Sequence, residues 1–319
     1  MLIFLSSRLF QLGIVLFLLS LCTFILMKLA PGDPVKKILK ADEVAITYEE
    51  EEALRKELGF NQPIVLQYLH WLKQIAHLNF GISYITKQPV WDEMVSRLPY
   101  TIYLAVGAII VTVVIAVPLG ILSAVYHRCF IDHVSRLFAL IGASIPDFWL
   151  GLLLIFLFSY HLNLLPSLGG THLLHLILPS ITLGLAMAAV YARLLRTGLL
   201  ESLSQEYIRA ANARGLSQRR ILFRHALKGA MIPVITMFGM SFGSLLGGAV
   251  VVEALFSWPG LGKMIVDAIL KRDYPVIQGY ILFTGTFVFV INMFIDISYR
   301  FLDPRLYLGG GAGNDQSFS

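Results

Sequence analysis

Apolar residues along this chain fall into long blocks separated by polar stretches. One block runs from Leu9 to Met27, and five more lie at roughly 101–126, 137–160, 173–197, 231–254 and 277–301. Each is long enough, as a helix, to cross about 30 Å of hydrocarbon. The pattern therefore predicts six transmembrane helices. The first block is longer than the apolar region of a secretory signal, and Lys28-Leu29-Ala30-Pro31 offers no small-x-small cleavage pattern. It is expected to stay as the first span.

Two polar stretches interrupt the blocks. Residues 30–98 carry Lys and Glu runs with Gly and Pro punctuation, and a short helix is expected from Tyr48 to Leu58 around Glu49, Glu50, Glu51 and Glu52. Their charge reads as a solvated face. Ile64, Leu66, Tyr68, Leu69, Trp71, Leu72 and Ile75 follow and suggest a small amphipathic domain on the outer face. The second stretch, Glu201–Lys228, carries Arg209, Arg214, Arg219, Arg220, Arg224 and Lys228 against Glu201 and Glu206. A connection between two spans needs only a few residues, so a long basic one with helical pattern is expected to engage a soluble partner. The Gly-rich polar tail, 306–319, is expected to be disordered.

Composition sharpens this. Mean hydropathy is +0.74, 57% of residues are hydrophobic and 14% charged, against about a quarter charged in soluble domains. The net charge of +5 does not indicate nucleic acid, because the bases gather beside apolar blocks in the positive-inside pattern. Arg193–Lys228 holds eight bases and two acids, whereas Asp33–Arg97 holds ten acids and eight bases, and Asn163–Thr171 holds no charge. Arg128 and Arg136 outweigh Asp132 in the connection after the second span. These signs agree on a cytoplasmic N-terminus, an external 30–98 region and a cytoplasmic C-terminus. Cys22 and Cys129 form no disulfide framework.

No Gly-x-x-x-x-Gly-Lys-Ser/Thr loop occurs in the chain, so no nucleotide site is expected on it and any ATP must be hydrolysed elsewhere. A short helix at about Gln205–Arg214, stopped by Gly215, would serve as a mechanical contact. Tyr207, Ile208 and Ala211 are expected on one face, with Ala210 and Ala211 small enough for close approach to a groove, and Gly215 and Leu216 turning the chain. Membrane lipid attracted to the basic loop is the plainer account.

The segment Glu206–Pro233 resembles the cytoplasmic coupling segment of ABC-importer permeases of the dipeptide, oligopeptide and nickel branch. Ala210, Ala211 and Gly215 match the general signature, while Arg209 stands where that signature has Glu, and Pro233 follows later than its Leu-Pro pair. Further stretches carry the resemblance across most of the chain: Pro31-Gly32-Asp33-Pro34, Leu58-Gly59-Phe60-Asn61-Gln62-Pro63, Ser144-Ile145-Pro146-Asp147-Phe148-Trp149, Phe256-Ser257-Trp258-Pro259-Gly260-Leu261-Gly262, Arg272-Asp273-Tyr274-Pro275 and Asp303-Pro304-Arg305. The resemblance implies an all-α integral membrane protein of the type I importer kind in the cell (inner or plasma) membrane. Its parts would be 1–29 with the first helix, an extracytoplasmic domain at 30–98, a permease core at 99–305 containing the coupling segment 201–228, and the tail. It implies a second related permease, two ABC ATPase subunits and an extracytoplasmic solute-binding protein, and it makes Glu206, Tyr207, Ile208, Ala210, Ala211, Arg214, Gly215 and Leu216 the ATPase-coupling residues. No catalytic residue, cofactor or nucleic acid is expected.

Residues 77–94 and the short loop after the third span look closest to nickel-type permeases, so the solute expectation leans to nickel or a nickel chelate over a di- or oligopeptide. His172 and His175, three residues apart, with His161 near by, are the metal candidates, ahead of His70 and His77, which stand seven apart; interfacial hydrogen bonding is their ordinary role. Charges near spans are Arg193, Arg196, Asp147, Glu253 and Asp296, the last expected to pair with Arg300; Arg193 and Arg196 read as interfacial anchors. Gly239, Gly243 and Gly247 recur every four residues and predict close helix contact. The alternatives are a stand-alone secondary transporter, which would usually show internal repeats, and behind it an intramembrane enzyme, which would need a converging polar set; no convincing repeat is found, and Ser144 and Asp147 are too little for such a set.

Overall fold

The computed structural model describes residues 2–29, 47–57, 61–170 and 172–302. Pro31–Pro34, Leu58–Phe60, Asp303–Arg305 and the tail lie outside them, as do the side chains of Asp296 and Arg300. Among the described residues, eleven α-helices of two turns or more follow one another: α1 Leu2–Leu29, α2 Tyr48–Glu57, α3 Ile64–Ala76, α4 Val90–Val125, α5 Phe130–Ser144, α6 Asp147–Leu154, α7 Leu174–Ser204, α8 Glu206–Ala213, α9 Leu227–Leu255, α10 Leu261–Lys271 and α11 Tyr274–Leu302. A π-helix, Ile155–His161, continues α6, and a second, Ile221–Ala226, leads into α9.

Four helical stretches are long and apolar enough to cross a membrane, and a fifth counts if α5 and α6 are one broken span. The fifth expected block, 231–254, lies within the 29-residue α9. The third block is not one straight helix: α5 and the α6 segment meet at 105°. Ile145 and Pro146 between them are extended, as expected where Pro removes an N–H and pushes its predecessor out of the helical region.

The centre of the molecule is α7, which packs on α4, α5, α6 and α9. Small residues make that packing close. A Cβ on Gly184 would lie 2.6 Å from the Val111 Cβ and 2.7 Å from the Ala108 carbonyl of α4, one on Gly120 would lie 3.0 Å from the Ala192 carbonyl, and one on Gly142 of α5 would lie 2.7 Å from the Ala189 Cβ. Ala105, Ala108, Ala116, Ala188 and Ala192 fill the rest of the α4–α7 seam. Thr112 of α4 donates to its own Ala108 carbonyl at 2.8 Å and across the seam to the Gly184 carbonyl at 3.1 Å. This is packing by backbone approach and interhelical hydrogen bonding, the mode available where lipid removes the hydrophobic drive between helices. The Gly239, Gly243, Gly247 series lies on α9; the surroundings of those positions are outside the described residues.

At the opposite end from residues 201–228, α4 begins at Val90, so one helix crosses the boundary expected at 98/99. Its extra turns are held by packing: Val90 and Met94 are fully buried against Leu261, Met264 and Val276. The α3 helix lies along the end of α1, with Phe24 edge-on to Tyr68 at 5.2 Å and Ser20 bonded to the Tyr68 hydroxyl at 2.8 Å. The loop before α4 is latched to the α10–α11 corner. Buried Asp273 accepts from the Ser83 hydroxyl at 2.5 Å and from the backbone N–H groups of Tyr84 and Ile85 at 3.1 and 3.3 Å. Burial first, then the neighbouring Asp273 and Tyr274, push the Tyr84 hydroxyl up to about 12, so it stays protonated at physiological pH.

Candidate functional site

The polar stretch builds a small platform at the end of α7. Gln205 turns the chain in extended conformation, with its N–H bonded to the Ser202 carbonyl, and α8 then runs back over the ends of α7 and α9. Its stop is a Schellman motif. Gly215 is left-handed (φ +76°), its N–H reaches the Asn212 carbonyl at 2.9 Å, and the Leu216 N–H reaches back to the Ala211 carbonyl at 3.3 Å. Leu216 packs on the core that contains Ala211, the apolar contact that usually accompanies this motif.

The faces of α8 differ from the expectation. Ile208 and Ala211, i and i+3, are buried at 3% and 7% exposure among Ala124, Leu195, Leu199, Ile221, Ala226 and Ala230. Tyr207 does not share their face. It is half-exposed and bonded through its hydroxyl to Ser202 at 2.7 Å. Ala211 is therefore not a surface for close approach to another protein; its small size serves the chain's own core. The outward face is Glu206, Tyr207, Arg209, Ala210, Ala213 and Arg214. Arg219, Arg220, Arg224 and Lys228 are exposed beyond it.

A second cluster stands beside this platform. Asp132, in the first turn of α5, is 1% exposed. Its carboxylate accepts from the Ser123 hydroxyl at 2.6 Å, from the Arg128 N–H at 3.1 Å, and from Arg196 Nε and Nη2 at 2.6 and 2.9 Å. Arg196 is thus not the interfacial anchor expected of it; it is the fork that pairs a buried carboxylate. Arg193 is exposed. A pairing across 64 residues leaves no local signal. The sequence offered only two half-clues, an acid in a basic connection and a base inside an apolar helix.

The remaining candidates are scattered. Asp147 is partly buried in the first turn of α6, where the helix dipole favours an anion. Glu253 is fully buried and caps α10: its Oε2 accepts from the Gly262 and Lys263 N–H groups at 2.6 and 3.2 Å. The Leu261 N–H goes instead to the Thr101 hydroxyl at 2.9 Å, and Trp258 Nε1 donates to the Tyr100 carbonyl at 2.8 Å. Together these fasten the Phe256–Gly262 turn to α4. His172 and His175 stack at 6.0 Å between ring centres. Among the described residues, no group of three or more His, Cys, Asp or Glu is placed to hold a metal. A cleft of about 500 Å³ opens between the end of α1, α3 and the 79–87 loop, lined by Lys28, Trp71, Phe80, Tyr84 and Lys87 among others.

Comparison with known proteins gives consistent matches. The family described as the binding-protein-dependent transport system inner membrane component matches residues 116–307, and the one describing the N-terminal part of such membrane components matches residues 1–105. The glutathione transport system permease protein GsiC of Escherichia coli strain K12 is 40% identical over 308 residues, covering 96% of this chain and 99% of that protein. GsiC of Shigella dysenteriae serotype 1 matches to the same extent. Among solved structures, a chain of the inward-facing MetNI methionine ABC transporter superposes with a TM-score of 0.56 at 19% identity, over 66% of this chain and 96% of that one. That likeness concerns the fold.

Proposed function

From the premise that the chain belongs to the family of inner membrane components of binding-protein-dependent transport systems, we propose that α8 and the turn after it are where it receives the energy for transport. The protein is a permease subunit of an ABC importer, a multi-pass inner-membrane protein and not an enzyme; ATP hydrolysis belongs to partner ATPase subunits, and a binding protein delivers the solute.

The observation that carries the proposal is the two-sidedness of α8. Ile208 and Ala211 root it in the core, Leu216 and Gly215 fix its end, and Glu206, Tyr207, Ala210 and Arg214 are left facing outward with Arg209. A rod held on one side and bare on the other transmits force when its bare side is gripped. The grip would be a cleft in an ATPase subunit, and its closure would move α7 and α9 through α8. The natural test is a cysteine at the exposed Ala210. In the assembled importer, Ala210→Cys should crosslink to the ATPase subunit with a yield that changes on ATP binding; an intact complex with no ATP-sensitive crosslink would sink the docking idea.

The same reading takes six spans with both termini in the cytoplasm, residues 30–98 outside, and a second related permease completing the pathway. Its support is the charge distribution along the chain and the family membership. For the solute, the 40% identity with permeases of glutathione transport systems favours a short peptide over nickel. ATP-driven uptake by the reconstituted importer of labelled glutathione, a dipeptide and nickel, each offered separately, discriminates among them; nickel uptake alone would reverse the preference.

A further inference from the structure

The buried carboxylate of Asp132 gathers three helices at one point. Ser123 belongs to the last turns of α4, Asp132 to the first turn of α5 and Arg196 to α7, while Arg128 gives its backbone N–H from the connection between the first two. His127 and Arg136 stand further off, at 3.5 and 3.8 Å. Arg196 meets the carboxylate with two bonds, one to each oxygen. A two-bond fork fixes orientation as well as distance, which a single bond or a lysine would not.

The neighbours of this cluster lead directly to the coupling helix. Ala124 follows Ser123 and Leu195 precedes Arg196, and both belong to the core that buries Ile208 and Ala211 of α8. From Arg196 to the end of α7 at Ser204 is about 12 Å of helix. The seat of α8 and the Asp132 cluster are adjoining parts of one block. On the far side of α5 the chain is different: at Ile145-Pro146 the helical ladder is interrupted and the axis turns by 105°.

We propose that the Asp132–Arg196 pair is a rigid joint that makes α5 travel with the coupling helix, so that the hinge of the bent pair is Ile145-Pro146 and not the 126–129 connection. Asp132 and Arg196 are then positioning residues for coupled transport. The inference rests on the proposed role of α8 as the point where force enters.

The test measures distances in the assembled importer, with ATPase and binding-protein subunits present. Exposed Cys22 and Cys129 are replaced by Ser, and spin labels are placed at Leu137→Cys on α5 and Arg209→Cys on α8. In the parent chain this pair should give one narrow distance, the same without nucleotide and with ATP and vanadate. A second pair, Leu157→Cys beyond the break with Arg209→Cys, should shift between those states. Asp132→Asn and Arg196→Gln should each lose the single narrow Leu137–Arg209 peak. Arg196→Lys, which keeps the charge and removes the fork, should broaden it and covers the case in which the other variants fail to assemble. A Leu137–Arg209 distance that changes with nucleotide in the parent, or that stays narrow in an assembled Arg196 variant, overturns the joint. The Ala210→Cys crosslink fails separately: without it the docking reading falls, while the nucleotide-free distances still report on the joint.

Discussion

Gly215 shows how much one residue decides. Its φ of +76° is forced by the Schellman stop, and a Cβ there would meet nothing within 4 Å. Gly215→Ala should therefore act through the backbone alone, at about 1–2 kcal/mol, and Gly215→Asn should cost less because Asn tolerates the left-handed region. The expected result is weaker ATP-dependent crosslinking at Ala210→Cys in the Ala variant and near-parent crosslinking in the Asn variant. Equal loss in both would mean that the glycine matters for contact and not for conformation. This stop was legible in the sequence, because Gly after a helical stretch with a following Leu is a local signal. The role of Ala211 was not. Spacing puts Ala211 on the face of Ile208 and Ala210 off it, but only the path of α7 and α9 beneath α8 decides that this face goes in. Arg196 was misread for the same reason: its partner is remote, and a base near the end of an apolar block ordinarily anchors at the interface.

Among the helices, the blocks of hydrophobicity foretold where the long elements lie, but not how they pack. Pro99, Pro118, Pro146, Pro179 and Pro233 all occur in or beside apolar blocks. Four are accommodated inside continuous helices, and only Pro146 ends one. Their local sequences do not separate them, so tertiary packing must. The α4–α7 seam joins Gly107, where a Cβ would lie 3.1 Å from the Ser180 Cβ, with Gly120 and Gly184; these share no period because they come from two helices. A direct check is Gly184→Val. Its side chain would need space already held by Val111 and the Ala108 carbonyl, and overpacking of this kind costs about 1–3 kcal/mol. Lowered thermal stability of the purified importer is expected, whereas Gly13→Val, where nothing lies within 4 Å, should leave it unchanged.

For the whole molecule, fold class and membrane character were readable because a bilayer imposes long apolar helices, and loop charge suggested an orientation. That orientation can be measured in intact spheroplasts. Cysteines at the exposed Lys87 and Leu164 should react with a membrane-impermeant maleimide, whereas cysteines at the exposed Arg209 and Arg219 should react only after the membrane is opened. Labelling of Arg209→Cys from outside would invert the topology and with it the coupling proposal.

The glycine seam between α4 and α7 has a consequence for biosynthesis. Gly107 and Gly184 are separated by half of α4, all of α5 and α6, and about a third of α7, yet their helices approach at backbone distance. During synthesis α4 therefore enters the membrane with its closest neighbour still unmade, carrying two internal prolines and a bare stripe of small residues. Until α7 arrives, Thr112 has no Gly184 carbonyl to reach and the stripe faces lipid. The order of the chain thus makes α7 the piece that the α4 seam waits for: that face of the bundle can close only after it.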